Sequence, residues 1–109
     1  MPVNAKGSRR ERELLEKLVK EGFVVHRIAG SGKGEDAICD LIAINSDGLV
    51  HFVEVKSRKK YFYAKQHADQ LNTMIEAANK CKAKPLLALK LNYKPWQIID
   101  LSQGIPEKI

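Results

Sequence analysis

The sequence predicts an α/β fold in which a mixed five-stranded β-sheet is flanked by helices. One observation is the order of the periodic segments, which runs helix, three strands, helix, two strands. A second is the connections: the first three strands follow one another closely, as in an antiparallel meander, and the long helix then crosses to a strand that can pair in parallel. The length of 109 residues fits one domain over 1–109, with 1–7 and 102–109 expected to be flexible.

The first helix is predicted over residues 8–21. Its apolar residues recur at spacings of three and four, from Leu14 to Leu18, and Gly22 follows as a terminator. Three strands come next, separated by a glycine-rich loop at 29–36 and by a hairpin turn, Asn45–Gly48, that contains an Asp-Gly pair. The three strands are predicted at 23–28, 38–44 and 49–57.

The second half of the chain begins with a basic cluster and then returns to a helical period. The predicted helix covers 64–82, with an apolar face that includes Leu71 and Ile75. A nearly continuous apolar segment at 86–91 predicts a buried strand, and residues 96–101 predict the last one.

Two carboxylates in the predicted strands need an explanation. Strands alternate their faces, so Glu54 and Lys56 lie on one face with their Cα atoms about 6.5 to 7 Å apart. If the hairpin pairs the two strands, Asp40 can approach Glu54 near their far ends. Two adjacent carboxylates at the edge of a core are costly unless a positive charge compensates them. A divalent cation does so, and Mg²⁺ prefers oxygen ligands.

The first helix offers a third carboxylate. Glu11 precedes Leu14 and Leu18 on one helix face, so it continues the apolar stripe that should contact the sheet. Glu13 is followed by charged residues on its own face and is predicted to be solvated. Glu11 is therefore the residue expected to face the sheet.

A simpler interpretation of these charges stays open at this point. Asp40 could cap a turn before its strand, and Glu54 with Lys56 could form an exposed pair on a half-solvated sheet face. The spacing from Asp40 to the Glu54-x-Lys56 motif is permissive and also occurs by chance. The tight turn between the strands, the flanking basic residues and the upstream Glu11 favour a functional site.

The charge balance favours a polyanionic partner. Nineteen Lys and Arg residues against thirteen Asp and Glu residues give a net charge of +6, and nucleic acid is the first candidate. The basic residues fall into three groups, which would form a phosphate-binding track if all flank the acidic site. The groups are Arg9, Arg10 and Arg12; Lys33; and Arg58, Lys59 and Lys60 with Lys65.

Several classes of protein are disfavoured. Two cysteines without a Cys-x-x-Cys motif, and three scattered histidines, make a zinc site improbable; Cys39 and Cys81 are expected to be reduced and partly buried. The glycine-rich loop lacks the phosphate-loop pattern. Because no apolar segment could cross a membrane and the N-terminus is polar and basic, we expect a cytoplasmic, nucleoid-associated protein.

With these motifs in view, the chain resembles a known family. Asp40, Glu54 and Lys56 resemble the D…ExK core of the restriction-endonuclease-like nucleases. KGSRRERELLEKLVKEGFVVHRIAGSG, followed by CDLIA and FVEVKSRK, resembles the archaeal Holliday junction resolvases of the Hjc type. The resemblance covers roughly residues 6–100. It implies a dimeric, Mg²⁺-dependent endonuclease for four-way DNA junctions in recombination and repair, with Mn²⁺ able to substitute for Mg²⁺.

The resemblance also assigns roles to residues. It implies that Glu11, Asp40 and Glu54 hold one or two metal ions, that Lys56 is catalytic, and that Ser31 in the mobile loop is needed for cutting. Other positions are expected to bind DNA, and replication or recombination proteins are expected as further partners. The DNA-binding positions are Arg9, Arg10, Arg12, Arg27, Lys33, Arg58, Lys59, Lys60 and Gln70.

Two rival functions use the same residues. One is a nuclease of this fold that cuts duplex or modified DNA, and the other is a non-catalytic DNA-binding module on the nuclease scaffold. For a junction enzyme we expect a two-fold dimer, because one chain carries one acidic site and resolution requires two nicks. The apolar candidates for its interface are the 86–91 strand, Trp96, Ile98, Met74, Ala77 and Cys81.

Overall fold

A computed structural model describes residues 5–28 and 37–107, and within it the chain forms one five-stranded sheet with a helix packed on each face. The predicted Ser31 and Lys33 lie outside the described residues, as do residues 1–4 and 108–109. The elements are α1 (Ala5–Lys20), β1 (Val24–Arg27), β2 (Leu41–Ile44), β3 (Val50–Arg58), a 3₁₀ turn (Ala64–His67), α2 (Ala68–Cys81), β4 (Lys84–Leu91) and β5 (Gln97–Asp100).

The sheet has the strand order β1-β2-β3-β4-β5. The first three strands pair antiparallel, β3 and β4 pair in parallel, and β5 returns antiparallel to β4. This confirms the predicted meander, crossover and α/β class. In the hairpin turn, the side-chain oxygen of Asn45 accepts hydrogen bonds from the backbone of Asp47 and Leu49. Gly48 has φ +83°, a conformation that costs glycine little.

Each sheet face carries its own apolar cluster. The α1 face contains Leu14, Leu41, Val53 and Ala88, and the α2 face contains Phe62 with other fully buried side chains. Because α1 and α2 cover opposite faces, the charged residues of β3 lie in a sheet that is covered on both sides. The remaining buried members on the α2 face are Cys39, Ala64, Leu71, Met74, Leu87, Leu89, Leu91 and Leu101.

Several predicted boundaries differ from the structure. The first helix starts at Ala5 rather than Ser8, and the second predicted helix begins as a 3₁₀ turn. The second strand starts at Leu41, so Asp40 stands just before it rather than inside it. The backbone of Asp40 nevertheless continues the pairing, since its N–H donates to Val53 at 3.0 Å and its carbonyl accepts from Ile28 at 2.9 Å.

The division between core and surface corrects part of the predicted interface. Met74 is not on an outer helix face; it is 1% exposed because its side chain packs in the α2-face cluster. Leu87, Leu89 and Leu91 are buried in the same cluster and Ala88 is buried in the α1-face cluster, whereas Ile98 stays exposed. Cys81 is an exposed free thiol rather than a partly buried one, while Cys39 is buried.

In the described part of the chain, no helix has both the length and the apolar character needed to cross a membrane. At the C-terminal end, Ile105 packs against the α2-face cluster and Lys65 pairs with Glu107 at 3.1 Å.

Candidate active site

The structure brings Asp40, Glu54 and Lys56 together beside the beginning of β2, at the end of the β2–β3 hairpin that is away from its turn. Glu54 and Lys56 share the strand face of Phe52, and Phe52 packs with the α2-face cluster. Asp40 stands at the beginning of β2, where its Oδ2 accepts a hydrogen bond of 2.8 Å from the Val55 N–H. This bond fixes the Asp40 carboxylate beside the segment that carries Glu54 and Lys56.

Glu54 is a buried acid. It is 3% exposed, and Asp40 is 6% exposed, so the two carboxyl groups are largely removed from water. Burial, followed by the negative charge of Asp40, raises the pKa of Glu54 to about 7. Lys56 opposes this shift only in part, although its Nζ lies 3.3 Å from Glu54 Oε2. The charge of Glu54 is therefore only partly compensated by Lys56.

Glu11 lies close to this pair but contacts another residue. Its Oε1 accepts a 2.8 Å hydrogen bond from Arg27 Nε of β1, and its side chain is 15% exposed. The Glu11 charge still contributes to the raised pKa of Glu54, as the weakest of the causes. Glu11 thus faces the sheet, in agreement with its helical projection, and it is held in an ion pair.

The donor set fits an oxygen-preferring cation. Within 5–28 and 37–107, no three His, Cys, Asp or Glu side chains are arranged to hold a metal ion by themselves. Asp40 and Glu54 supply two carboxylates, and Mg²⁺ ordinarily keeps several water ligands while binding one or two carboxylates and substrate phosphates. The burial of two neighbouring carboxyl groups, with the pKa of Glu54 raised by the charge of Asp40, is the observation that favours this ion.

Most of the predicted DNA-binding residues lie at the surface. Arg9, Arg12, Lys59, Lys60 and Gln70 are exposed. Arg10, by contrast, is half-buried and pairs with Glu13 at 3.1 Å. Arg27 and Arg58 are half-buried and make contacts within the protein.

Glu13 has a structural contact that the sequence pattern did not predict. Its carboxylate is 42% exposed, as expected for the solvated face, yet its Oε1 also accepts a 3.1 Å hydrogen bond from Trp96 Nε1. This contact joins α1 to the segment before β5. Among the described hydrogen bonds, Glu13 makes none with Asp40 or Glu54.

A cluster of Arg58, Phe62 and His67 was also missed. His67 stacks on the Phe62 ring with centroids 5.0 Å apart, and its Nε2 lies 3.3 Å from Arg58 Nη2. Nothing in the spacing of these residues indicates the contact, because it depends on how the 3₁₀ turn packs beside the end of β3. The other two histidines lie elsewhere: His51 is buried with its Nδ1 3.1 Å from the Ala43 carbonyl oxygen, and His26 is exposed.

Comparisons with known proteins agree with this geometry. The sequence profile of the family described as archaeal Holliday junction resolvase (Hjc) matches residues 2–105. The crossover junction endodeoxyribonuclease Hjc of Archaeoglobus fulgidus is 36% identical over 100 residues, which cover 91% of this chain and 71% of the relative. The crossover junction endodeoxyribonuclease of Sulfolobus islandicus rod-shaped virus 1 is 33% identical over 113 residues, covering 99% and 91%.

A solved structure extends the likeness to the fold. The structure of Archaeoglobus fulgidus Hjc, which its title describes as a Holliday junction resolvase from an archaeal hyperthermophile, matches with a TM-score of 0.70 at 35% sequence identity. The match covers 84% of this chain and 73% of that structure. With the sheet topology, the acid pair and the matching profile in agreement, the chain belongs to the archaeal Holliday junction resolvase family.

Proposed function

We propose that this protein is a crossover junction endodeoxyribonuclease that nicks four-way DNA junctions by Mg²⁺-dependent phosphodiester hydrolysis. The observation that carries the proposal is the buried Asp40 and Glu54 pair beside Lys56, in a chain of the resolvase family. A purely structural acid pair of this kind would destabilise the fold, with no metal ion to offset the cost of burying it. A metal-binding pair at the rim of a DNA-binding surface has a reason to persist.

Each residue has a part in the proposed reaction. Asp40 and Glu54 would hold the metal, and Glu11 is the third carboxylate whose charge acts on the same site. A bound Mg²⁺ supplies charge compensation for the phosphate and lowers the pKa of a coordinated water. Lys56 is held by Glu54 at 3.3 Å, so its ammonium group is available to orient the attacking water or to stabilise negative charge on the phosphate.

The basic residues supply the DNA-binding surface in this proposal. Arg9 and Arg12 flank Glu11 in the sequence of α1, and Lys59 and Lys60 directly follow β3, the strand that carries Glu54; all four side chains are exposed. Such contacts neutralise phosphates and release counterions, so affinity should fall steeply as salt rises. Arg27 is proposed to act closer to the acids, because its guanidinium already contacts Glu11.

A substrate panel separates this function from its two rivals. The protein is incubated with a four-way junction and with a linear duplex of the same sequence, each with Mg²⁺ and with EDTA. We expect Mg²⁺-dependent cutting of the junction in preference to the duplex. Equal cutting of both would favour a duplex nuclease, and binding without cutting in any divalent ion would favour a non-catalytic module.

Neighbouring glutamates on α1 should respond differently to the same substitution. We expect Glu11→Gln to slow junction cleavage by about 100-fold, because it removes a charge near Glu54 and the ion pair with Arg27. Glu13→Gln should slow it by less than about threefold, since an amide oxygen can still accept from Trp96 and only an exposed ion pair is lost. Single-turnover cleavage rates measure both, and equal losses would contradict the separate roles.

We also propose a two-fold homodimer with both acidic sites on one basic face. The described residues of one chain contain one buried acid pair, and two symmetric nicks in a two-fold substrate require two sites. Among the predicted apolar interface residues, Ile98 on the edge strand β5 (47% exposed) and Cys81 at the end of α2 are exposed, and Val24 on the other edge strand, β1, is a further exposed apolar residue at 72%. Light scattering should give twice the mass of 12.3 kDa at micromolar concentration.

The dimer is tested functionally on a supercoiled plasmid with a cruciform. Paired nicks within one binding event should yield linear product directly, whereas sequential binding yields a nicked-circle intermediate. A monomer in light scattering that still makes paired nicks in one event would overturn the dimer.

A further inference from the structure

The guanidinium of Arg58 is held by three neighbours at the end of β3. Its Nη1 donates to the Ser57 carbonyl at 2.8 Å, its Nη2 lies 3.3 Å from His67 Nε2, and its Cζ lies 5.3 Å from the centre of the Phe62 ring. A free arginine side chain gives up considerable rotamer entropy when it binds a ligand. Contacts that hold it beforehand reduce that cost.

His67 has the geometry to accept from this arginine. A guanidinium can only donate, so the contact requires an unprotonated Nε2 and places the ring proton on Nδ1. Burial, followed by the positive charges of Lys56 and Arg58, lowers the pKa of His67 and so favours the neutral ring. The stack on Phe62, with ring planes 17° apart and Phe62 1% exposed, anchors the imidazole to the core.

The held guanidinium lies beside the acidic site. Arg58 is on the strand face of Glu54 and Lys56, since residues two and four apart on a strand share a side. The charge of Lys56 also reaches His67, which places the cluster at the border of the site. An arginine has five N–H donors in a fixed fork that matches a phosphate, and the contacts with Ser57 and His67 engage two of its nitrogens at one donor each.

We propose that His67 is a positioning residue that holds Arg58, so that the guanidinium binds a DNA phosphate next to the one that is cut. The inference deepens the proposed function and rests on DNA being the substrate. The contact with His67 sets the orientation of the Arg58 guanidinium, and the contact with the Phe62 ring sets the distance of the guanidinium from the sheet. A purely structural cluster would instead use the same contacts to pack the 3₁₀ turn, with no consequence for phosphate binding.

The test measures DNA affinity against NaCl concentration in EDTA, where no cutting occurs, with a four-way junction and a linear duplex. Arg58→Gln should weaken binding by about tenfold and reduce the salt slope by about one. His67→Phe keeps the aromatic stack but removes the acceptor, and it should weaken binding by about threefold. His67→Gln restores an acceptor and should bind nearly as wild type does, and Lys80→Gln, which removes an exposed charge at the end of α2, serves as the matched control.

The double variant decides whether His67 acts through Arg58. Combined with Arg58→Gln, His67→Phe should cause no further loss, because interacting residues are not additive. Three results would each overturn the inference: independent losses in the double variant, a His67→Gln variant that binds as weakly as His67→Phe, or an unchanged salt slope in Arg58→Gln. Unfolding midpoints show that the variants are folded. A protein that shows this pattern but cuts no junction with Mg²⁺ would refute the proposed nuclease alone. A junction-cutting protein without the pattern would refute this inference alone.

Discussion

Asp40→Asn and Glu54→Gln should each reduce junction cleavage by at least about 1,000-fold while leaving junction binding intact or tighter. Each substitution removes a proposed metal ligand with almost no change of size, and metal-based charge stabilisation contributes several kcal/mol to such reactions. Each also removes a negative charge beside the DNA phosphates, which accounts for the retained or tighter binding. Single-turnover cleavage with Mg²⁺ and gel-shift binding in EDTA measure the two effects separately.

Glu16→Gln is the matched control for these variants, since Glu16 is an exposed carboxylate on α1. It should cut at the wild-type rate. Loss of binding in a folded Asp40→Asn or Glu54→Gln variant would point to a structural role for the pair, and wild-type cleavage in either would remove that residue from the site.

The stability of the metal-free protein should depend on pH through Glu54. Its pKa is about 7 in the folded protein against an ordinary value of 4.5, so the folded state binds the proton more tightly than the unfolded state does. The resulting stabilisation is fully present below pH 4.5 and is lost as pH rises through 7. The shift corresponds to about 3 kcal/mol between these limits.

Other carboxylates titrate over the same range, so the comparison is made between wild type and Glu54→Gln. Urea unfolding at several pH values in EDTA should show Glu54→Gln gaining stability relative to wild type from pH 4.5 to 8. Glu16→Gln should show no such trend. A constant difference between wild type and Glu54→Gln across this range would mean that Glu54 is not a strained buried acid.

The sheet could be predicted from sequence because its signals are local. The turn residues at Asn45–Gly48, the apolar 86–91 segment and the helical periods each depend on residues close together in the chain. The parallel pairing of β3 and β4 followed from the length of the crossover between them. The second strand was predicted to begin at residue 38, whereas it begins at Leu41. The error arose because the apolar pattern extends upstream of the point where regular pairing begins.

The grouping of Asp40, Glu54 and Lys56 was also accessible from the sequence, since strand alternation and one hairpin place them together. The contacts of the surrounding residues were not. The ion pair of Glu11 with Arg27 joins residues 16 apart in the sequence, and the hydrogen bond from Trp96 to Glu13 joins residues 83 apart. The burial of Met74, by contrast, follows from the helical period, because Leu71, Met74 and Ala78 recur at spacings of three and four on one helix face. Assigning Met74 to the outer face was an error of projection.

Direct metal binding tests the central claim, that the Asp40 and Glu54 pair is the metal centre of a nuclease. Mn²⁺ is titrated into the protein at pH 8, and the free ion is counted from its electron paramagnetic resonance signal. Wild type and Glu16→Gln should bind Mn²⁺ alike, Mg²⁺ should displace it, and Asp40→Asn and Glu54→Gln should lose the binding. Unchanged Mn²⁺ binding in both substituted proteins would contradict the account.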